Sequence, residues 1–245
     1  MHARSSGRHA FRTQALGLCL VLGTALPAAA DAARVQVHVS GFGYPAGAAI
    51  DLHVAREDLA LDYDDSGEAT LRLKRLGLSF YETLGASSRM GLRLGRVAFS
   101  QSGRPTTAGL DPLGWFAELD FGGAWPADSR VQAAVEAAWR YSSVSDSDPA
   151  SGDEVELDWH TLELRPTLRL ALGGPLRLDL GASMIAVDGS ERSRGATRAS
   201  VDFSAAESAG GFLSLAWHRA DRDVIALRLR GGNPAGLSVV FEHRY

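Results

Sequence analysis

The chain has 245 residues, 45% of them hydrophobic and 22% charged, with a formal net charge of −4. That acidic balance leaves no basic footprint for nucleic acid. After the N-terminal region no run of 18 or more apolar residues occurs, which excludes a transmembrane helix. What remains is a single domain of either a soluble β-sandwich or a membrane barrel.

Residues 1–30 read as a cleaved secretory signal peptide: Arg4, Arg8 and Arg12 precede an apolar run from Ala15 that ends in Pro27-Ala-Ala-Ala30. Leu18 stands before Cys19, where a lipoprotein signal needs a small residue, so no lipid anchor is expected. Removal of the segment takes away the only thiol and three arginines. Residues 31–245 then carry 22 basic and 29 acidic side chains, a formal charge of −7, and no disulfide or thiolate chemistry is expected of them.

From there hydrophobicity alternates with a period of two, the signature of strands. Between Arg34 and Asp64 the candidates are Val35–Val39, Ile50–Ala55 and Leu59–Tyr63, with a phase break between Val54 and Leu59. Leu76, Leu78 and Phe80 lead through Gly85–Ser88 to Met90, Leu92 and Leu94, opposed by Arg93. At Gly95-Arg96 the apolar face passes to Val97 and Phe99, and a β-bulge is expected there. Trp115, Ala117, Leu119 and Phe121 oppose Glu118 and Asp120; after the turn Trp125–Ser129 comes the longest clean alternation, Val131 to Tyr141, opposed by Gln132, Glu136 and Arg140. Leu162, Leu164, Leu168, Leu170 and Leu172 oppose Arg165 and Arg169. Past Gly173–Pro175, Leu176 to Met184 oppose Arg177, Asp179 and Ser183. Leu213, Leu215 and Trp217 then turn at Ala220–Arg222 into Ile225, Leu227 and Leu229, opposed by Arg228 and Arg230. The last stretch puts Leu237, Val239, Phe241, His243 and Tyr245 on one face, against Ser238, Val240, Glu242 and Arg244.

This last stretch resembles the closing strand of bacterial outer-membrane β-barrels. The resemblance implies that Phe241 and the final aromatic, Tyr245, form the signal read by the barrel-assembly machinery. It also implies that the last strand runs toward the periplasm. Arg75–Leu84 followed by Arg104–Asp111 is similar to a pattern in a group of small, uncharacterised outer-membrane β-barrel proteins of Gram-negative bacteria, and that group brings no activity with it. The expected fold is therefore all-β, a transmembrane antiparallel up-and-down barrel over residues 31–245. Nine strands are counted from residue 70 onward, and closure needs an even number. Ten strands result if Leu59–Tyr63 supplies the missing one, and twelve if all three earlier candidates pair.

The connections sort by length as in such barrels: tight turns at one end, and at the other the longer polar segments Asp64–Glu68, Ser102–Pro112, Ser143–Glu154, Gly189–Arg198 and Gly231–Gly236. Bulky aromatics fall into two girdles, with Trp125, Trp217 and Tyr245 at the periplasmic ends and Tyr63, Trp115, Trp139, Tyr141 and Trp159 at the outer ends.

The inward faces carry Arg93, Glu118, Asp120, Glu136, Arg140, Arg165, Arg169, Arg177, Asp179, Arg228, Arg230, Glu242 and Arg244. In a ten-stranded barrel such mixed charge reads as a paired, packed lumen or as a narrow path whose arginines favour anions. Asp62–Gly67 opens like a calcium loop, but Leu73 stands where the bidentate Glu is required, so an EF-hand is rejected. The histidines after the signal segment are scattered and form no triad or metal-ligand set. His160, near Ser142 and Ser143, is the one suggestive of lipid hydrolysis. No catalytic residue, metal or cofactor is assigned. The expectation is a monomeric outer-membrane barrel in contact with lipid and lipopolysaccharide, acting as a small pore or passive transport protein. The alternatives are a structural or surface-interaction barrel presenting its loops, and a lipid-modifying enzyme.

Overall fold

The computed structural model describes residues 47–245 except 86, 108–109, 127–128, 150–151, 196–197 and 220–221. The expected signal segment and the candidate strand Val35–Val39 lie outside the described residues. Eleven strands form one antiparallel sheet: β1 (Ala48–Tyr63), β2 (Gly67–Thr83), β3 (Ser88–Ser102), β4 (Leu113–Trp125), β5 (Val131–Asp148), β6 (Asp153–Gly173), β7 (Leu176–Arg194), β8 (Ala199–Ala205), β9 (Ala209–Arg219), β10 (Asp223–Gly232) and β11 (Ala235–Arg244). β11 closes on β1, from Ala49 opposite Arg244 to Asp58 opposite Ala235. Ten of the strands, all except β8, complete this ring, as expected for a transmembrane barrel.

The ring narrows away from the chain terminus. β7 pairs with β9 only as far as Met184 and Ala209. Beyond that it pairs with β8 from Asp188 to Ser193, and β8 reaches β1 at Leu61–Tyr63. The β10–β11 hairpin stops below this junction, so the far half of the barrel is a ring of eight strands, β1 to β8. Asn233 at the hairpin tip is buried and fixes the junction. Its amide oxygen accepts from the Ala60 amide at 3.0 Å, and its nitrogen donates to the carbonyls of Ala60 (2.9 Å) and Glu207 (2.8 Å).

Each long strand exchanges its apolar and polar faces partway along without losing register. In β2 the inward residues run Ala69, Leu71, Leu73, Arg75, Gly77, Ser79, Tyr81, while the outward ones run Glu68, Thr70, Arg72, Lys74, Leu76, Leu78, Phe80. The near half faces lipid and needs an apolar exterior. The far half stands in water and is built like a small soluble barrel, polar outside and apolar within. The bulge expected at Gly95-Arg96 is absent, since β2 and β3 pair without a break from Thr70–Ser102 to Thr83–Arg89. The face changes there because the solvent changes. For the same reason Ile50–Ala55 and Leu59–Tyr63 are one continuous strand, β1. An irregularity does occur in β6, between Ala171 and Gly173.

Three of the expected outer loops are mostly strand: β5 runs to Asp148 and β6 starts at Asp153, so Ser143–Glu154 is a hairpin, Gly189–Arg198 belongs largely to β7, and Gly231–Gly236 is the tight β10–β11 turn. In the first two, Val144, Glu191 and Ser193 keep the inward phase, and that alternation extends the sheet beyond the lipid belt. The true long connection is residues 103–112, with one 3₁₀ turn at Pro105–Thr107. At the boundary between the halves Phe116 lies over Gly95, where a Cβ would come within 2.5 Å of its ring and 2.3 Å of the Leu76 carbonyl oxygen.

Candidate functional site

Inside the near half, ten arginines (Arg75, Arg89, Arg93, Arg140, Arg165, Arg169, Arg177, Arg228, Arg230 and Arg244) meet eight carboxylates (Asp51, Glu57, Glu118, Asp120, Glu136, Glu163, Asp179 and Glu242). Strand alternation brings them together, because every second residue of nine strands projects into one narrow space. Glu136 is the hub, lying 2.9 Å from Arg169, 3.2 Å from Arg165, 3.3 Å from Arg89 and 4.0 Å from Arg228. Arg165 bridges onward to Glu163 (3.3 Å), Glu163 pairs with Arg230, and Arg230 reaches Glu57 (2.9 Å), which also pairs with Arg75. A second group forms around Glu118, which pairs with Arg140 and Arg93. Arg93 also donates to Ser79 and to the Tyr81 hydroxyl, each at 2.6 Å, and lies 3.4 Å from Asp51. Toward the near end Arg177 pairs with Asp179 (3.0 Å) and Arg244 with Glu242 (2.5 Å).

The eleven residues Arg93, Glu118, Asp120, Glu136, Arg140, Arg169, Arg177, Asp179, Arg228, Arg230 and Glu242 all lie in this interior. The space left between them is a polar cavity of about 100 Å³. Asp51, His53, Glu57, Arg75, Arg89 and Glu163 also belong to the interior and were not anticipated. Glu163 and Arg89 were legible, since they share the phases of Arg165 and Arg93; Asp51 and Glu57 were hidden by reading β1 as two pieces.

Above the charges the far-half interior is filled by seventeen buried residues, among them Leu61, Leu71, Val97, Phe116, Leu157, Trp159 and Phe203. At the mouth above them, Arg104 and Thr106 of the 103–112 connection are tied to the barrel wall. Arg104, buried, lies over the Tyr63 ring at 4.1 Å and pairs with Glu191 (3.1 Å) and Asp65 (2.5 Å). Thr106 donates to the same Glu191 at 2.5 Å. Burial lowers the Arg104 pKa, but the bonds to Glu191 and Asp65 outweigh it and raise it overall. Burial pushes the Tyr63 phenol up.

No family model matches the chain, and no curated protein is similar to it. Solved structures similar to it include the translocator domain of the autotransporter NalP from Neisseria meningitidis, at 10% identity and a TM-score of 0.47, covering 81% of this chain and 88% of that one. Outer-membrane protein OprG from Pseudomonas aeruginosa gives 13% and 0.46, covering 83% and 98%. An outer-membrane channel from Pseudomonas putida F1 gives 12% and 0.41, covering 82% and 96%. At these values the likeness carries no functional argument.

Of the expected girdles, Trp115, Trp125, Trp139, Trp217 and Tyr245 are exposed on the outer wall, and Tyr141 stands half-buried beside Trp115, its hydroxyl donating to Asp158 at 2.9 Å. Trp159 and Tyr63 are corrections: both are buried in the apolar far half. Trp159 shares the phase of Thr161, Glu163 and Arg165, which is the inward one. Phe241 faces outward, as Tyr245 does. His243 contacts Asp223 at 2.7 Å at the near rim. His160 packs on the outer wall against Trp139 and Tyr141; Ser142 is fully buried on the inner side and cannot pair with it, whereas Ser143 shares the outward face, opposite Asp158 and diagonal to His160.

Proposed function

We propose that the chain is a non-conducting outer-membrane barrel whose far half stands at the cell surface as a structural or surface-interaction module. The observation that carries this is the filled far-half interior. Seventeen apolar residues, several with no exposed surface, occupy the cross-section that a solute would have to pass. At about 1.5–3 kcal/mol per large buried side chain, opening that section to water is expensive. The narrow-pore reading keeps one support, the excess of arginine over carboxylate in the near half, which would favour anions. The outer-membrane assignment is supported by the apolar belt and by a water-adapted half at the end away from the chain terminus. Lipid and lipopolysaccharide as neighbours, insertion by the barrel-assembly machinery through the Phe241–Tyr245 strand, and a monomeric state complete the proposal. Planar-bilayer recording tests it. The sealed barrel gives no stepwise conductance at any polarity in molar salt, and reproducible ohmic openings would overturn it in favour of a narrow pore.

A further inference from the structure

The outer wall carries a groove of about 540 Å³ where the lipid belt meets the polar far half, on β11, β1, β2, β3 and the start of β4. Its lower side is apolar, formed by Val54, Leu76 and Val239, and its upper side carries Arg56, Lys74 and Arg96, all exposed, with Leu113 beside them at the start of β4. Arg56 and Lys74 stand directly opposite each other across the β1–β2 ladder, and Arg96 is diagonal to Lys74 on β3. Like charges directly opposite on one face are destabilising unless an anion lies between them.

The other outward cations on strands of the far half are paired: Arg72 with Asp58 at 3.1 Å, Arg192 with Glu156 at 3.6 Å, and Arg194 with Glu154 at 3.2 Å. Among the described residues Arg56, Lys74 and Arg96 have no such partner. Three cations above an apolar groove, at headgroup depth, fit a ligand with phosphate at one end and acyl chains at the other.

We propose that this groove binds a phosphorylated, multiply acylated lipid of the surrounding leaflet, with phosphate held by Arg56, Lys74 and Arg96 and acyl chains laid along Val54, Leu76 and Val239. The depth assignment rests on the barrel lying in the membrane as proposed above. Binding in detergent is independent of orientation and of conductance, so failure of either reading is distinguishable from failure of the other.

The test is native mass spectrometry of the purified full chain in detergent, titrated with bisphosphorylated lipid A, with the same glycolipid after phosphate removal, and with inorganic phosphate. One lipid A is expected to remain bound. The triple variant Arg56→Gln, Lys74→Gln, Arg96→Gln is expected to bind it on the order of a hundredfold more weakly, and Lys74→Gln alone about fivefold. Dephosphorylated lipid should bind as weakly as the triple variant binds lipid A, and inorganic phosphate should not displace the lipid at equal concentration. The pair Arg192→Gln, Arg194→Gln should bind as wild type does. Heat-modifiable gel migration reports folding of each variant; if the triple fails to fold, Lys74→Gln decides. Unchanged retention by the folded variants, equal binding of dephosphorylated lipid, or a dimer of this chain that the substitutions abolish would overturn the proposal.

Discussion

Glu136→Gln isolates what the buried charge network contributes. The substitution keeps shape and removes one negative charge from beside Arg89, Arg165, Arg169 and Arg228, which lie between 2.9 and 4.0 Å from it. At an effective dielectric near 20, a pair of unit charges about 4 Å apart attracts by about 4 kcal/mol. Most of that gross attraction offsets the desolvation of the groups involved. The net loss expected on removing one partner is about 3–5 kcal/mol, because the guanidinium groups left behind stay buried without their shared anion. Urea unfolding from lipid vesicles, followed by tryptophan fluorescence, measures it. Adding Arg169→Gln should recover part of the loss, giving a coupling energy of about 1–3 kcal/mol in a double-mutant cycle. A cost under about 1 kcal/mol for Glu136→Gln, or simple additivity, would refute the reading that Glu136 and its arginines form one coupled cluster.

Trp159→Ala should cost about 3–5 kcal/mol by opening a cavity in the far half, whereas Trp139→Ala on the lipid-facing wall should cost clearly less; the same unfolding assay compares them. Asn233→Ala removes three hydrogen bonds at the hairpin tip and takes the side-chain partner from the Ala60 N–H and the Glu207 carbonyl, while the Ala60 carbonyl keeps the Ala206 amide. A loss of about 2–4 kcal/mol is expected, and amide exchange should rise at Ala60. Burial raises the Asp65 carboxyl, but the hydrogen bonds from Arg104 and Ser66 and the Arg104 charge together outweigh it, so it lies below its ordinary value. Its contribution is therefore full above the unfolded value of about 3.9 and fades as pH falls through the folded one. Because Asp65 is half-exposed, the effect stays under about 1 kcal/mol. It should show as a difference between wild type and Asp65→Asn that vanishes in acid.

The fold was legible where the alternation is strict. Val131–Tyr141 and Leu176–Met184 announce strands whatever surrounds them, and the opposed charges of each mark the inward face. The far half was harder to see because period-two patterning records which face is apolar and not which face is inside. At Arg75 and Leu76, and again at Arg96 and Val97, the apolar face moves from lipid to core, and a reader assuming one solvent sees a slipped phase. The same assumption sent Trp159 and Tyr63 to the outer girdle. The charged interior was largely readable from its arginines. Its connectivity was not, because pairing of Glu57 with Arg230 crosses 173 residues of chain and is set only by ring closure.

In the proposed barrel β2 crosses from lipid to water near Lys74–Leu76 while its inward side stays sealed. Single cysteines along residues 68–81, in a background with Cys19 replaced, can be probed in vesicles with a membrane-impermeant thiol reagent. Positions 68, 70, 72 and 74 should react, 76, 78 and 80 should be shielded by lipid, and 69, 71 and 73 should be silent. Reaction at 71 and 73 at the rate seen at 72 would mean a water-filled interior, and would contradict the account.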